Sequence, residues 1–468
     1  MKKRTFGSIS LSLMLAILAC SIPFQQNEPI EYIEEDKDQS ELSESTAPLQ
    51  AVDPAPSVDA VTPSGNIEPN DLVYLGAFRL PDDNGGSSWD YSGQALTYYP
   101  EGDPDGDEDG FPGSLFGVGH DQQLYVSEIT IPVPVISENL DDLNTAITIQ
   151  TFQDFSDGIV VAEDMQLPVV GLEYLPPQNG QSTGKLHFTW GQHFQYFDLS
   201  HGWSNLDLAN PQSDGPWYFN GYTNYTTSDY LFEIPEEWAN TYTPGLRLAT
   251  GRFREGIWSG CGPAIFAYGP WTEGSPPTAN TTLTNIKPLL LYGYQEPEIP
   301  EIISDEANHM NGYQEADHWF GAAWLTYGDR SAVIFSGTKG VGSSWYGFAN
   351  GVIWDYECGE QDPPTCPDVP EWPYNDRGYW AEDYQGQLIF FDPDDLAAVA
   401  LGQMETFEPQ PYATLDLTPY LFAPQLDFGE YKRDIIAASA FDREHGILYV
   451  IERLADEYKS VIHVFELQ

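Results

Sequence analysis

Three short apolar runs close the chain, and the strand they lack constrains the fold more than any other feature. Residues 435–442, 447–451 and 461–467 are joined by the turn Arg443-Glu444-His445-Gly446 and by a polar loop. Runs of this length, rich in β-branched and aromatic residues and bounded by turn residues, read as strands. A three-stranded meander leaves an open edge of unpaired backbone groups, which proteins normally cover or pair. Residues 72–80 (Leu-Val-Tyr-Leu-Gly-Ala-Phe-Arg-Leu) have the character of the missing fourth strand. If they fill that place, the two ends of the folded part meet in one sheet and the whole forms a ring.

The intervening chain repeats the theme. Runs rich in small residues, read as innermost strands, recur at 93–98, 170–175, 263–268, 322–327 and 437–441. Second strands follow at 114–118, 185–190, 332–335 and 447–451. Third strands are read at 123–132, 229–235 and 387–393, and fourth strands at 146–152, 246–253, 289–294 and 412–417. Four-stranded units repeated radially make a β-propeller, in which each sheet buries both faces against its neighbours. Five inner strands favour five blades. The spacing is irregular and the middle strands of the third unit are not evident, so six or seven blades, or a sandwich with insertions, stay open. Asp392-Pro393 through Gly402 reads as a short capped helix, with Pro in its first turn and Gly at its end.

The 468 residues include 18 Lys and Arg against 72 Asp and Glu, a formal charge of −54. Such a surface repels nucleic acid and anionic lipid, so partners of both kinds are excluded in favour of cations and neutral ligands. Most of this charge is read as a solvated exterior that keeps a monomer soluble.

The first 20 residues carry a basic start, Lys2-Lys3-Arg4, and an apolar stretch over 5–19 that is short for a transmembrane helix. The stretch ends Ile17-Leu18-Ala19-Cys20, which resembles the lipobox of bacterial lipoproteins. That resemblance implies lipidation of Cys20, export, and attachment to the outer face of a bacterial membrane through the lipid alone. Leu18 departs from the small residue usual at its position. Residues 21–70, rich in Glu, Asp, Ser and Pro, read as a disordered acidic tether. The propeller is assigned to 71–468 with an insertion at 340–385. Cys358 and Cys366 bracket a Pro-containing loop within it and are expected to pair in an exported protein. Cys261, opening an apolar run, reads as a buried free thiol.

In a propeller, the loops entering inner strands and those joining second to third strands share one face. They bring Asp90, Glu163-Asp164, Arg254-Glu255 with Trp258, Glu315 with Asp317-His318, and Arg433-Asp434. The second kind brings His120-Asp121, His193, Lys339 and Glu452-Arg453. Three of the eight histidines lie here, in a chain poor in basic residues. The expected ligand-binding residues are His120, Asp121, His193, Arg254, Trp258, His318, Lys339, Arg433 and Asp434. Asp90, Glu255 and Asp317 are the candidates for catalysis, since clustered carboxylates shift one another and can divide acid and base roles. Flat aromatic faces beside them suit a sugar ring. Against this, an acidic chain places carboxylates on many loops, and Asp is a common turn residue.

Asp103-Pro-Asp105-Gly-Asp107-Glu-Asp109-Gly110 resembles the Asp-x-Asp-x-Asp-Gly calcium loops, which implies Ca2+ on Asp105, Asp107 and Asp109 in a structural role. Phe116 stands where an EF-hand would have its bidentate Glu, so a complete EF-hand is not expected. The sequence has no Gly-x-Ser-x-Gly elbow, His-Glu-x-x-His, phosphate loop or dinucleotide fingerprint. The reading is an exported, lipid-anchored propeller that binds a neutral or glycan-like ligand at its mouth. A glycoside hydrolase using the mouth carboxylates, or a calcium-assisted phosphoester hydrolase, is the alternative.

Overall fold

A computed structural model describes residues 65–468 apart from 83, 104–105, 107–109, 166, 194–196, 255, 297–298, 300, 356, 360, 362–363 and 427–428. These residues form a five-bladed β-propeller. Blade 1 comprises, from the axis outward, Leu96–Tyr99, Ser114–Val118, Val126–Thr130 and Thr148–Gln153. Blade 2 comprises Val169–Leu175, Lys185–Gly191, Leu199–Ser204 and Asp214–Phe219, with Thr282–Leu283 added in parallel at its edge. Blade 3 comprises Tyr230–Glu233, Leu248–Gly251, Ile265–Tyr268 and Ile286–Leu290. Blade 4 comprises His318–Tyr327, Arg330–Phe348, Arg377–Phe391 and Ala413–Asp416.

Blade 5 closes the ring. Ile436–Asp442, Ile447–Asp456 and Lys459–Leu467 are followed across the sheet by Leu72–Arg79, which runs antiparallel to the last strand from Leu72 opposite Leu467 to Arg79 opposite Val461. The closing strand buries Phe78 and Ala77 completely. A buried Phe contributes about 1.5–3 kcal/mol. Packing begins before residue 71, because Gly65–Asn66 pair in parallel with Arg330–Ser331 and Ile67 is fully buried.

The apolar runs are continuous because both faces of each blade are covered. In the second strand of blade 5, Leu448 and Val450 enter the core shared with blade 4. Ile447, Tyr449 and Ile451 point the other way, into the core shared with blade 1. The two-residue period of a strand thus feeds two cores from one run. Five such cores lie between successive blades around the ring.

Sequence and structure differ in the second and third units. Residues 229–235 and 246–253, read as the third and fourth strands of unit 2, are the first and second strands of blade 3. Residues 263–268, read as an inner strand, are its third strand. The true third and fourth strands of blade 2 contain Ser200, His201, Gly202, Gly215 and Pro216, and the polar residues of the third are buried, so they do not read as strands.

Each inner strand packs against the next one around the axis. A Cβ on Gly171 would lie 2.4 Å from the backbone oxygen of Asp229, and one on Gly321 would lie 2.6 Å from the backbone nitrogen of Ser439. The Ala438 amide donates to Gly93 across the ring at 3.1 Å. Small inner residues are therefore a requirement of bringing five strands this close. At the end of the inner strands away from the mouth, a polar belt joins the blades. Thr97 donates to Glu173 at 2.9 Å, and the Glu233 amide donates to the other oxygen of Glu173 at 3.0 Å. Arg443 then links Glu233 (3.4 Å) to Trp324 and Thr326 (3.0 Å each).

Candidate functional site

The mouth is built from turns that enter inner strands and from hairpins between second and third strands. Among the described residues the buried arginines are Arg252, Arg254, Arg433 and Arg453, and all four lie here. In a chain with 18 basic residues against 72 acidic ones, this placement is selective.

One charge network crosses from blade 4 to blade 1. His318 Nδ1 meets Asp434 Oδ1 at 2.8 Å, and Arg453 Nη1 donates to the other oxygen at 3.4 Å. Arg453 also reaches Asp121 at 3.9 Å, and Asp121 sits 3.2 Å from His120. The same guanidinium donates to the carbonyls of Tyr91 and Ser92, so it fastens the turn that enters blade 1. Burial pushes the Asp434 carboxyl up, but His318, Arg453 and Arg433 outweigh it and hold the group below the usual carboxylate range. Tyr91 has φ 56°, a conformation that a non-glycine residue adopts at a cost. Its ring lies 5.4 Å from Tyr458, 5.5 Å from Tyr431 and 5.4 Å from His120, forming one aromatic platform.

A second platform stands on blade 3. Trp258 is 42% exposed and lies 5.8 Å from Tyr225 and 6.2 Å from His193. Arg252 and Arg254 sit over Tyr225 at 4.7 and 5.2 Å and donate to the carbonyls of Gln192 and His193. Cation–π contacts of this kind hold the arginines as rigid supports for the indole.

Asp317 and Lys339 form a separate latch. Lys339 Nζ donates to Asp317 at 2.6 Å, and the amides of Gly340 and Gln314 donate at 2.9 and 3.0 Å. Burial raises the Asp317 carboxyl to about 6 against these partners. It is fully buried, which places it as a support rather than a group open to a substrate. Asp90 is partly buried and pairs through its backbone with Lys459. Glu255, Asp105, Asp107, Asp109 and Cys20 lie outside the described residues. Among the described residues no three His, Cys, Asp or Glu side chains are grouped to hold a metal ion.

The long second and third strands of blade 4 continue past the sheet as a ribbon that carries the insertion. Their register runs from Val333 opposite Phe391 to Phe348 opposite Arg377, with an irregularity after Val341. Arg433 ties the ribbon to the mouth. It donates to the Tyr379 carbonyl and to Asp376 at 3.2 Å each, and lies 4.5 Å over the Trp380 ring. Cys358 and Cys366 are disulfide-bonded beyond it. Cys261 is fully buried with its thiol pushed up by burial, which disfavours a nucleophilic role.

Asp229 is the residue the sequence reading missed. It enters the inner strand of blade 3, is 1% exposed, and its Oδ1 has no hydrogen-bond partner among the described residues. Burial pushes its carboxyl to about 8, with Arg252 and Arg254 drawing it down and Asp434 pushing it further up. It lines an axial cavity of about 10 Å3 together with residues of all five inner strands. That space accommodates about one water, too little for a larger molecule to thread the axis. The available signal was position, since Asp317 and Asp434 also stand at the entry to inner strands. The misassigned strand hid it.

No protein-family model matches this chain, and no curated protein matches it in sequence.

Proposed function

We propose that the protein is an exported, lipid-anchored propeller that binds an extracellular saccharide-like ligand at the mouth. The observation that carries this reading is the pair of aromatic platforms on either side of an ion-paired floor. Trp258 (42% exposed) stands on one side and Tyr458 (49% exposed) on the other. Flat partly exposed rings present an apolar face for stacking, and the charged groups between them are already matched to one another. A neutral ligand with many hydroxyls gains hydrogen bonds there without separating those pairs. The lipobox-like segment ending at Cys20 and the acidic stretch after it support a position outside the cell on a tether.

One observation favours catalysis as a second reading. Asp229 keeps its proton to about pH 8, whereas Asp434 is held ionised, and carboxyls driven apart in this way can serve as acid and base. Both are buried, and Asp229 lines a cavity of only one-water size, which argues for binding instead.

The test is a glycan array followed by calorimetry on the purified protein and on Trp258→Ala and Tyr458→Ala. Each substitution is expected to weaken the selected glycan about tenfold, near the 1.4 kcal/mol that a lost aromatic contact approaches. Unchanged affinity in both would refute the site. Release of reducing ends by the wild type, abolished in Asp434→Asn, would replace the binder with a hydrolase.

A further inference from the structure

A second groove lies away from the mouth. It opens on the opposite face, between blades 2 and 3, and encloses about 520 Å3. One wall is the turn joining the first two strands of blade 2, with Gln178, Gln181 and Lys185. Trp203 and Asp214 of the outer strands form the floor, and Ser275 from a blade 3 loop faces them. Small-molecule sites commonly occupy 300–1,000 Å3.

Its charges are already matched. Asp214 accepts from Trp203 Nε1 at 2.8 Å. Lys185 donates to Asn205 at 2.7 Å and stands 5.9 Å over the Trp203 ring. One cation and one anion give the lining no net charge, and the surrounding charge of −54 disfavours an anionic guest. Gln181 is committed: its amide nitrogen donates to Leu175 and Pro176, and its oxygen meets His187 Nε2 at 2.8 Å. Its backbone pairs in both directions with that of Gln178, which makes the wall rigid. The Gln178 side-chain nitrogen, in contrast, is buried with no partner among the described residues. Buried donors are almost always satisfied, and one left open at the wall of a groove points to a guest. Ser275 Oγ donates to Gly180 at 2.5 Å and keeps its lone pairs for accepting.

We propose that this groove is a second ligand site, taking a neutral polyhydroxy ligand of mono- or disaccharide size. Gln178 donates to a ligand oxygen, Ser275 and Asp214 accept from ligand hydroxyls, and Lys185 supplies a further donor. The assignment is independent of the mouth.

The experiment titrates the intact protein with maltose, cellobiose and lactose by calorimetry. The variants are Gln178→Leu, the exposed Ser275→Ala, and the mouth variant Trp258→Ala. At least one disaccharide is expected to bind at one site, with affinity constant within twofold between 50 and 500 mM salt. Gln178→Leu should weaken it tenfold or more and Ser275→Ala about threefold, while Trp258→Ala leaves it unchanged. If Gln178→Leu does not fold, the Ser275→Ala result decides. No binding at 10 mM of any disaccharide, or a loss confined to Trp258→Ala, would overturn the proposal.

Discussion

Replacing Glu173 with Gln should stabilise the ring at neutral pH and flatten its pH dependence. Glu173 is partly buried between blades 1, 2 and 3, and burial, helped by Glu233, raises its carboxyl to about 8. Its hydrogen bonds from Thr97 and from the Glu233 amide, and the attraction of Arg443, do not offset that push. An unfolded Glu ionises near 4.5. Between that pH and about 8 the unfolded chain therefore gives up a proton that the folded chain retains, so stability falls as pH rises. The slope is about 1.4 kcal/mol per pH unit, which amounts to roughly 3 kcal/mol by pH 7. Glutamine copies the protonated acid. Its oxygen accepts from the Glu233 amide, and its nitrogen donates to Thr97 Oγ1, which already accepts from the Tyr174 amide at 2.9 Å. Urea unfolding followed by tryptophan fluorescence at pH 4.5, 5.5, 6.5 and 7.5 measures the difference. The two proteins should be nearly equal at pH 4.5, with the variant ahead by roughly 3 kcal/mol near pH 7. A difference that does not change with pH would refute the reasoning.

The remaining predictions address the mouth, the calcium loop and the anchor. Arg453→Met removes a buried guanidinium from Asp434 and from the carbonyls of Tyr91 and Ser92, and should cost about 3–5 kcal/mol in urea unfolding. A loss below 1 kcal/mol would show that the network is not a structural hub. Calcium calorimetry on wild type and Asp107→Ala tests the Asp-x-Asp-x-Asp-Gly resemblance, with saturable heat expected only in the wild type; identical isotherms would remove calcium from the account. Cys20→Ser should move the expressed protein from the membrane fraction to the soluble exported fraction, and unchanged retention would exclude the lipid anchor.

The ring was legible where both faces of a strand are apolar. Residues 447–451 declare themselves because alternate side chains enter different interblade cores, and in 461–467 Ile462 and Val464 enter one core while Phe465 and Leu467 enter the other. The partner strand at 72–80 was found by the same logic. Blade 2 was not legible beyond its second strand. Its third strand buries Ser200, His201 and Ser204, and Ser200 Oγ pairs with His201 Nδ1 at 2.9 Å. That pair satisfies one atom of each residue, whereas His201 Nε2 and Ser204 Oγ have no partner among the described residues, and nothing in their order signals burial. The next two strands were then counted two places too early.

The site shows a deeper limit. Asp229, Asp317 and Asp434 occupy the same place in the repeat, at the entry to the inner strands of blades 3, 4 and 5. Their chemistry nevertheless diverges. Asp317 receives Lys339 and two amides and is raised only to about 6. Asp434 receives His318 and Arg453 and is held low. Asp229 keeps one oxygen unpartnered among the described residues and rises to about 8. What distinguishes them is the partners each receives: Lys339 of the same blade meets Asp317, whereas Asp434 takes Arg453 of its own blade and His318 of blade 4, across 116 residues of chain. The repeat sets where a carboxyl stands. The partners set whether it is a latch, an anion or an acid, and the one that reaches Asp434 from blade 4 appears only once neighbouring blades are packed.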